Sequence, residues 1–128
     1  MKICIVIANY YPNISKDLLI GATKVLEANG LKNHRKIIIP GIFEIPSIIS
    51  RFMEDYDGFV ALGCVIKGET PHFDFISTTT INAIMNLSIV HKKPIGNGIL
   101  TCLNKRQAKA RSGSFNKIGK GTEAANAT

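Results

Sequence analysis

GCVIKGETPHFDF, Gly63 to Phe75, joins the end of a strand, a polar turn and the start of a helix. The strand reads from Phe59 to Ile66 and is apolar on both faces, as a strand covered by helices on either side must be. Lys67, Gly68 and Glu69 supply the turn. Thr70 suits an N-cap and Pro71 the first helical position. His72 then falls in the first turn, where free backbone N–H groups and the helix dipole disfavour imidazolium and lower its pKa. A neutral histidine beside an anion-favouring helix end can move protons for a phosphorylated substrate. A capped helix with an exposed histidine would read the same way.

The same grammar extends in both directions. Ile3 to Ala8 is a continuous β-branched run, a second buried strand. Ser15 is placed to cap a helix that carries Leu18, Ala22, Val25 and Leu26 at helical spacing to about Asn29, where Gly30 stops it. Lys36 to Ile39 makes a short strand ended by Pro40-Gly41. Pro46 opens a helix through Ile48, Ile49, Phe52 and Met53, and Asp57-Gly58 breaks it. The helix from Pro71 runs to about Val90. Pro94 to Leu103 is a strand weakened by Gly96 and Gly98, and Asn104 to Arg111 is helical. Gly113 to Gly121 reads as a polar loop and Thr122 onward as a short helix. Strands and helices alternate, which predicts a parallel sheet with right-handed crossovers and helices on both faces. Neither a repeat nor a low-complexity tract interrupts residues 1–128, so one domain is expected.

Composition narrows the function. The chain has 128 residues, enough for a real core. No apolar run approaches the ~20 residues of a membrane span, and Met-Lys followed by six apolar residues lacks a signal-peptide pattern. A cytoplasmic protein with no membrane partner is expected. Cys4, Cys64 and Cys102 lie in or beside apolar runs and form no CxxC, so buried reduced thiols are the default. Lys and Arg outnumber Asp and Glu by 16 to 9, and six of the 16 lie between Lys105 and Lys120. That segment suits small anions or a solvated face. With Phe115 as its one aromatic and without a known motif, no nucleic-acid partner is expected. No histidine–carboxylate spacing suggests a metal, and neither GxGxxG nor a Walker loop occurs.

Ligands of open parallel sheets bind beyond the carboxyl ends of the strands, and the unusual residues fall there. Asn9, Tyr10 and Tyr11 follow the first strand, and Gly41, Ile42, Phe43 and Glu44 follow the second. Lys67 to His72 follow the third, and Asn97 lies in the fourth. Tyr10 and Phe43 are able to enclose a flat ring, and Glu44 to accept hydrogen bonds from it. Gly68, Glu69 and Thr70 offer backbone amides to a phosphate, and Arg111 offers a bidentate pair. Each has a plainer reading: Phe43 as core, Glu44 as a turn acid, Arg111 as a solvated cation. His34 and His91, among lysines at turns, read as surface residues.

Five segments together resemble one family. They are PGIFEIP at Pro40 to Pro46, ALGCVIKGETPHFDF at Ala61 to Phe75, GNGILT at Gly96 to Thr101, and the spaced residues of Gln107 to Arg111 and Gly119 to Ala125. In this order, across Ile3 to Ala125, they are similar to the lumazine synthases. The resemblance implies a flavodoxin-like three-layer α/β/α sandwich with a four-stranded parallel sheet in the order 2-1-3-4. It implies condensation of 5-amino-6-ribitylamino-uracil with 3,4-dihydroxy-2-butanone 4-phosphate to 6,7-dimethyl-8-ribityllumazine, without metal or cofactor. By the same resemblance Tyr10, Ile42, Phe43 and Glu44 hold the pyrimidine and ribityl chain, and Cys64, Val65 and Ile66 contact them through backbone. Glu69, Thr70 and Arg111 hold the phosphate ester, and His72 moves protons. Asn97 approaches from a neighbouring subunit of a homopentamer, and Lys120 and Glu123 match a supporting pair. Tyr10 and Asn97 stand where many members carry phenylalanine or another aromatic, and Asn97 cannot stack. A non-catalytic flavin- or lumazine-binding module on the same fold is one rival reading, and a basic nucleic-acid-binding domain is the other.

Overall fold

The computed structural model describes residues 1–68, 72–113 and 120–128, with residues 72, 120, 122, 123 and 127 described by backbone alone. The strands are β1 (Ile3–Ala8), β2 (Arg35–Ile39), β3 (Gly58–Ile66) and β4 (Ile95–Cys102). The helices are α1 (Pro12–Ala28), α2 (Ile45–Arg51), α3 (His72–His91), α4 (Lys105–Ser112) and α5 (Lys120–Ala127), with short 3-10 turns at Ile42–Glu44 and Met53–Asp55. All strand pairs are parallel, in the order β2-β1-β3-β4. The expected α/β architecture and strand order are therefore present.

Side-chain alternation along the central strands builds two cores. Ile3, Ile5, Ile7, Val60, Leu62, Cys64, Leu100 and Cys102 face α1, α4 and α5, against Leu18, Ala22, Ala108 and Ala124. Cys4, Val6, Ala8, Phe59, Ala61 and Ile99 face α2 and α3, against Ile45, Ile49 and Ile84. Phe59 and Ile5 are fully buried, and each such side chain contributes about 1.5–3 kcal/mol.

Local chemistry sets the element ends, and three expectations are corrected. Ser15 is not the cap of α1. The helix already opens at Pro12, whose missing N–H costs nothing in the first turn. Ser15 Oγ instead donates 2.9 Å to the Ala8 carbonyl, tying α1 to the end of β1. The other end closes as a Schellman motif: Gly30, at φ +78°, donates to Glu27 and Leu31 donates to Leu26. The second correction concerns β4, whose glycines form a seat rather than a weakness. A Cβ at Gly96 would run into the Ala124 carbonyl, and one at Gly98 would stand 2.5 Å from Leu62 Cδ2 and 3.0 Å from Ala124 Cβ. Gly121 fits equally tightly against the Leu18 carbonyl. These glycines let α5 lie down on β4 and α1, and α5 starts at Lys120, inside the expected loop. Third, His34 is not a plain surface residue: its side chain is 16 % exposed, with Nε2 3.9 Å from Glu27. His91 is exposed.

Candidate functional site

The parallel ladder runs out at one edge. Asn9 N donates to the Ile39 carbonyl at 3.0 Å and Lys67 N to the Cys102 carbonyl at 2.8 Å, the last rungs before the loops diverge. Beyond them lies a cleft of about 520 Å³, lined by Tyr10 and Tyr11, Gly41 to Glu44, Cys64 to Ile66, Gly68, Phe73 and Ile76. Two glycines shape its floor. Gly63 leaves room for Ile42, whose Cγ2 would stand 2.7 Å from an added Cβ, so the 3-10 turn settles directly on β3. Gly41 does the same for Glu44, whose Oε2 would be 3.1 Å from a Cβ. Ile42 is buried and anchors the turn, which leaves Phe43 59 % exposed. Across the opening Tyr10 is 72 % exposed and leans edge-on against Tyr11, with ring centroids 4.9 Å apart. Two projecting aromatic rings beside an apolar floor are suited to a flat heterocycle.

The floor is electrically quiet. Burial, with help from neighbouring Cys102, pushes the Cys64 thiol up to about 12, so it stays neutral and unreactive at ordinary pH. Burial and the adjacent Tyr10 and Cys64 also raise Tyr11. Among the lining residues, polar atoms are offered by Glu44, by the Tyr10 and Tyr11 hydroxyls and by backbone groups. Among the described residues, no group of three or more His, Cys, Asp and Glu side chains is placed to hold a metal ion.

Seven of the expected residues therefore meet in one cleft: Tyr10, Ile42, Phe43, Glu44, Cys64, Val65 and Ile66. Tyr11, expected with Tyr10 beyond the first strand, joins them, as do Phe73 and Ile76, which the sequence marks only as helix residues. Phe73 and Ile76 are three residues apart at the start of α3, a spacing that puts both on one face. Asn97 and Arg111 do not line the cleft of their own chain. Asn97 Oδ1 accepts 3.0 Å from Ile99 N, within β4. Arg111 is exposed on α4, over the other face of the sheet, with Nη1 3.8 Å from Cys102 Sγ. Glu69, Thr70 and Pro71, the expected start of the helix, lie outside the described residues, as do the side chains of His72, Lys120 and Glu123. The backbone of α3 begins at His72.

Comparison with known proteins gives the family. Residues 1–128 match the family model described as 6,7-dimethyl-8-ribityllumazine synthase. The chain is 44% identical over 127 residues to the 6,7-dimethyl-8-ribityllumazine synthase of Bartonella bacilliformis, covering 94% of this chain and 83% of the relative. It is 43% identical to that of Methylorubrum populi, with 97% and 78% covered. It is 45% identical to that of Agrobacterium fabrum, with 84% and 76% covered. With the expected topology and the cleft in place, the chain belongs to the 6,7-dimethyl-8-ribityllumazine synthase family.

Proposed function

We propose that the cleft beyond β1 and β3 is where 5-amino-6-ribitylamino-uracil condenses with 3,4-dihydroxy-2-butanone 4-phosphate, the penultimate step of riboflavin biosynthesis. The free amine adds to the ketone and water leaves to give an imine. Phosphate is then eliminated, and the ribityl-bearing nitrogen closes the second ring with loss of water. Binding both partners in one cleft makes the first step effectively intramolecular. The observation that carries this reading is the full-length family match of a chain whose seven expected ligand-facing residues share one cleft.

Within it, Tyr10 and Phe43 cover the pyrimidine, Glu44 accepts from the ring or ribityl donors, and the backbone of Cys64, Val65 and Ile66 completes the floor. His72 moves the protons. Glu69 and Thr70 hold the phosphate ester with Arg111, while Lys120 and Glu123 support them. Asn97 and Arg111 come from a neighbouring copy, which makes the active form a homopentamer or an assembly of pentamers. Two features support assembly. Neither residue lines the cleft of its own chain, and α3 exposes Phe75, Met85, Ile89 and Val90. One domain over residues 1–128 is supported by the span of the family match. A cytoplasmic location is supported by three buried cysteines with free thiols. Among the described residues no helix is long and apolar enough to cross a membrane.

The decisive experiment mixes both substrates with the protein and follows the fluorescent lumazine. Product formation is expected. Binding of lumazine or flavin without turnover would establish the non-catalytic module instead.

A further inference from the structure

α4 is a short helix with four cations, Lys105, Arg106, Lys109 and Arg111, and no acid. Its grip on the protein is slight. Ala108 is its one buried apolar side chain, and alanine contributes little area. Asn104 caps the first turn by accepting 2.9 Å from Gln107 N, and Gln107 Oε1 answers by accepting 2.9 Å from Leu103 N. The last turn, which carries Arg111, is held differently. Asp17 reaches over from α1, and its Oδ2 accepts from Lys109 Nζ at 2.8 Å and from Ser112 Oγ at 3.0 Å. Ser112 is buried, and the Asp17 side chain is only 18 % exposed. Lys109 and Ser112 are one turn apart and face α1, so Arg111, between them in sequence, points elsewhere. Among the described residues this is the only ion pair α4 makes.

We propose that Asp17 is a positioning residue for the condensation: its carboxylate clamps the last turn of α4 from both sides of Arg111 and so sets the pose of that guanidinium. The proposal rests on Arg111 being the phosphate-binding residue. Pose and field have opposite signs here, which makes the idea decidable. A carboxylate near a phosphate site repels the anion, so deleting it for its charge alone would tighten use of the phosphate ester. Deleting a clamp lets Arg111 wander and weakens that use, because a bidentate guanidinium contact tolerates little misplacement. A half-exposed pair adds little global stability, so Asp17→Ala should fold and melt within a few degrees of wild type.

Four proteins test this: wild type, Asp17→Ala, Arg111→Ala and the double variant, each titrated with butanone phosphate at saturating ribitylamino-uracil. In Asp17→Ala, KM for the phosphate ester should rise about tenfold, a change of ~1.4 kcal/mol. Both kcat and KM for the uracil should stay within about twofold, inside the usual scatter of independent sites. On the Arg111→Ala background the Asp17 substitution should add nothing. Lys109→Met with Ser112→Ala, which breaks the clamp from the other side, should match Asp17→Ala and stands in for it if that variant folds poorly. An unchanged or lowered KM would overturn the proposal. So would an equal rise with and without Arg111, which would mean that Asp17 serves the fold at large. If Arg111→Ala itself keeps the wild-type KM, the phosphate reading of Arg111 fails, and the clamp fails with it.

Discussion

With proton handling proposed for His72 and phosphate binding for Arg111, the two functions should fail differently. His72→Ala should slow turnover about 100-fold, the low end of the 10²–10⁴ that acid–base groups contribute, because an amine and a reactive ketone condense without help. Single-turnover rates across pH check this, and full activity at every pH would remove His72 from the mechanism. Arg111→Ala should cost the butanone phosphate about 30-fold or more, since losing one partner of a buried charge pair costs roughly 2–5 kcal/mol. Binding of the uracil, which has no phosphate, should barely change; titrating each substrate separately shows the difference. Cys64 gives a pH prediction. Its thiol is raised from 9.0 to about 12, burial being the larger cause and Cys102 the smaller. Between those values the folded state holds a proton that the unfolded state has lost. Stability is thus complete below pH 9 and falls as pH rises toward 12. Urea unfolding at pH 8 and 10.5 should show the loss, and Cys64→Ala should reduce it; an identical pH slope in that variant would assign the loss elsewhere.

Among elements, the strands were the most legible in sequence and the ends of helices the least. β1 and β3 are unbroken apolar runs, and only a doubly covered strand satisfies such a run. The site was legible where motif residues sit at strand ends, as Tyr10 and the Ile42–Glu44 turn do. It was not legible at Phe73 and Ile76, because apolar residues in a helix look like core until the sheet edge beside them is known to be open. Ser15 misled because serine before an apolar run serves equally well as a cap or as a tie to a neighbouring strand; Pro12 decided it by opening the helix first. Gly96 and Gly98 misled more. Strand glycine ordinarily signals weakness, and only the tertiary partner reveals a close approach. Gly96→Ala tests that seat. The new methyl group cannot coexist with the Ala124 carbonyl, so α5 must shift, at a cost of about 1–3 kcal/mol by overpacking. Thermal melts should show a drop. An unchanged midpoint would mean that α5 docks loosely.

For the whole molecule, the question is whether one chain can work alone. Its cleft holds the residues proposed to face the pyrimidine, while Asn97 and Arg111 sit away from it. If sites form between copies, inactive chains should rescue one another. Arg111→Ala and His72→Ala proteins, unfolded and refolded together in equal amounts, should recover roughly a quarter of the wild-type sites. Random pairing leaves each half of a shared site intact half the time. Light scattering should show pentamers or larger. Activity from a monomer, or mixtures no better than their components, would place the complete site in one chain. The seat of α5 has a further consequence, for synthesis. Gly121 rests on Leu18, and Thr128 Oγ1 donates 3.1 Å to the Phe59 carbonyl. The first helix and the central strand are thus covered by an element translated after all four strands. A nascent chain has no means of closing this core early, and such non-local closure is slow. Until Thr128 clears the ribosome, the apolar groove over α1 and β4 stays open, and that is the surface a ribosome-bound chaperone would meet.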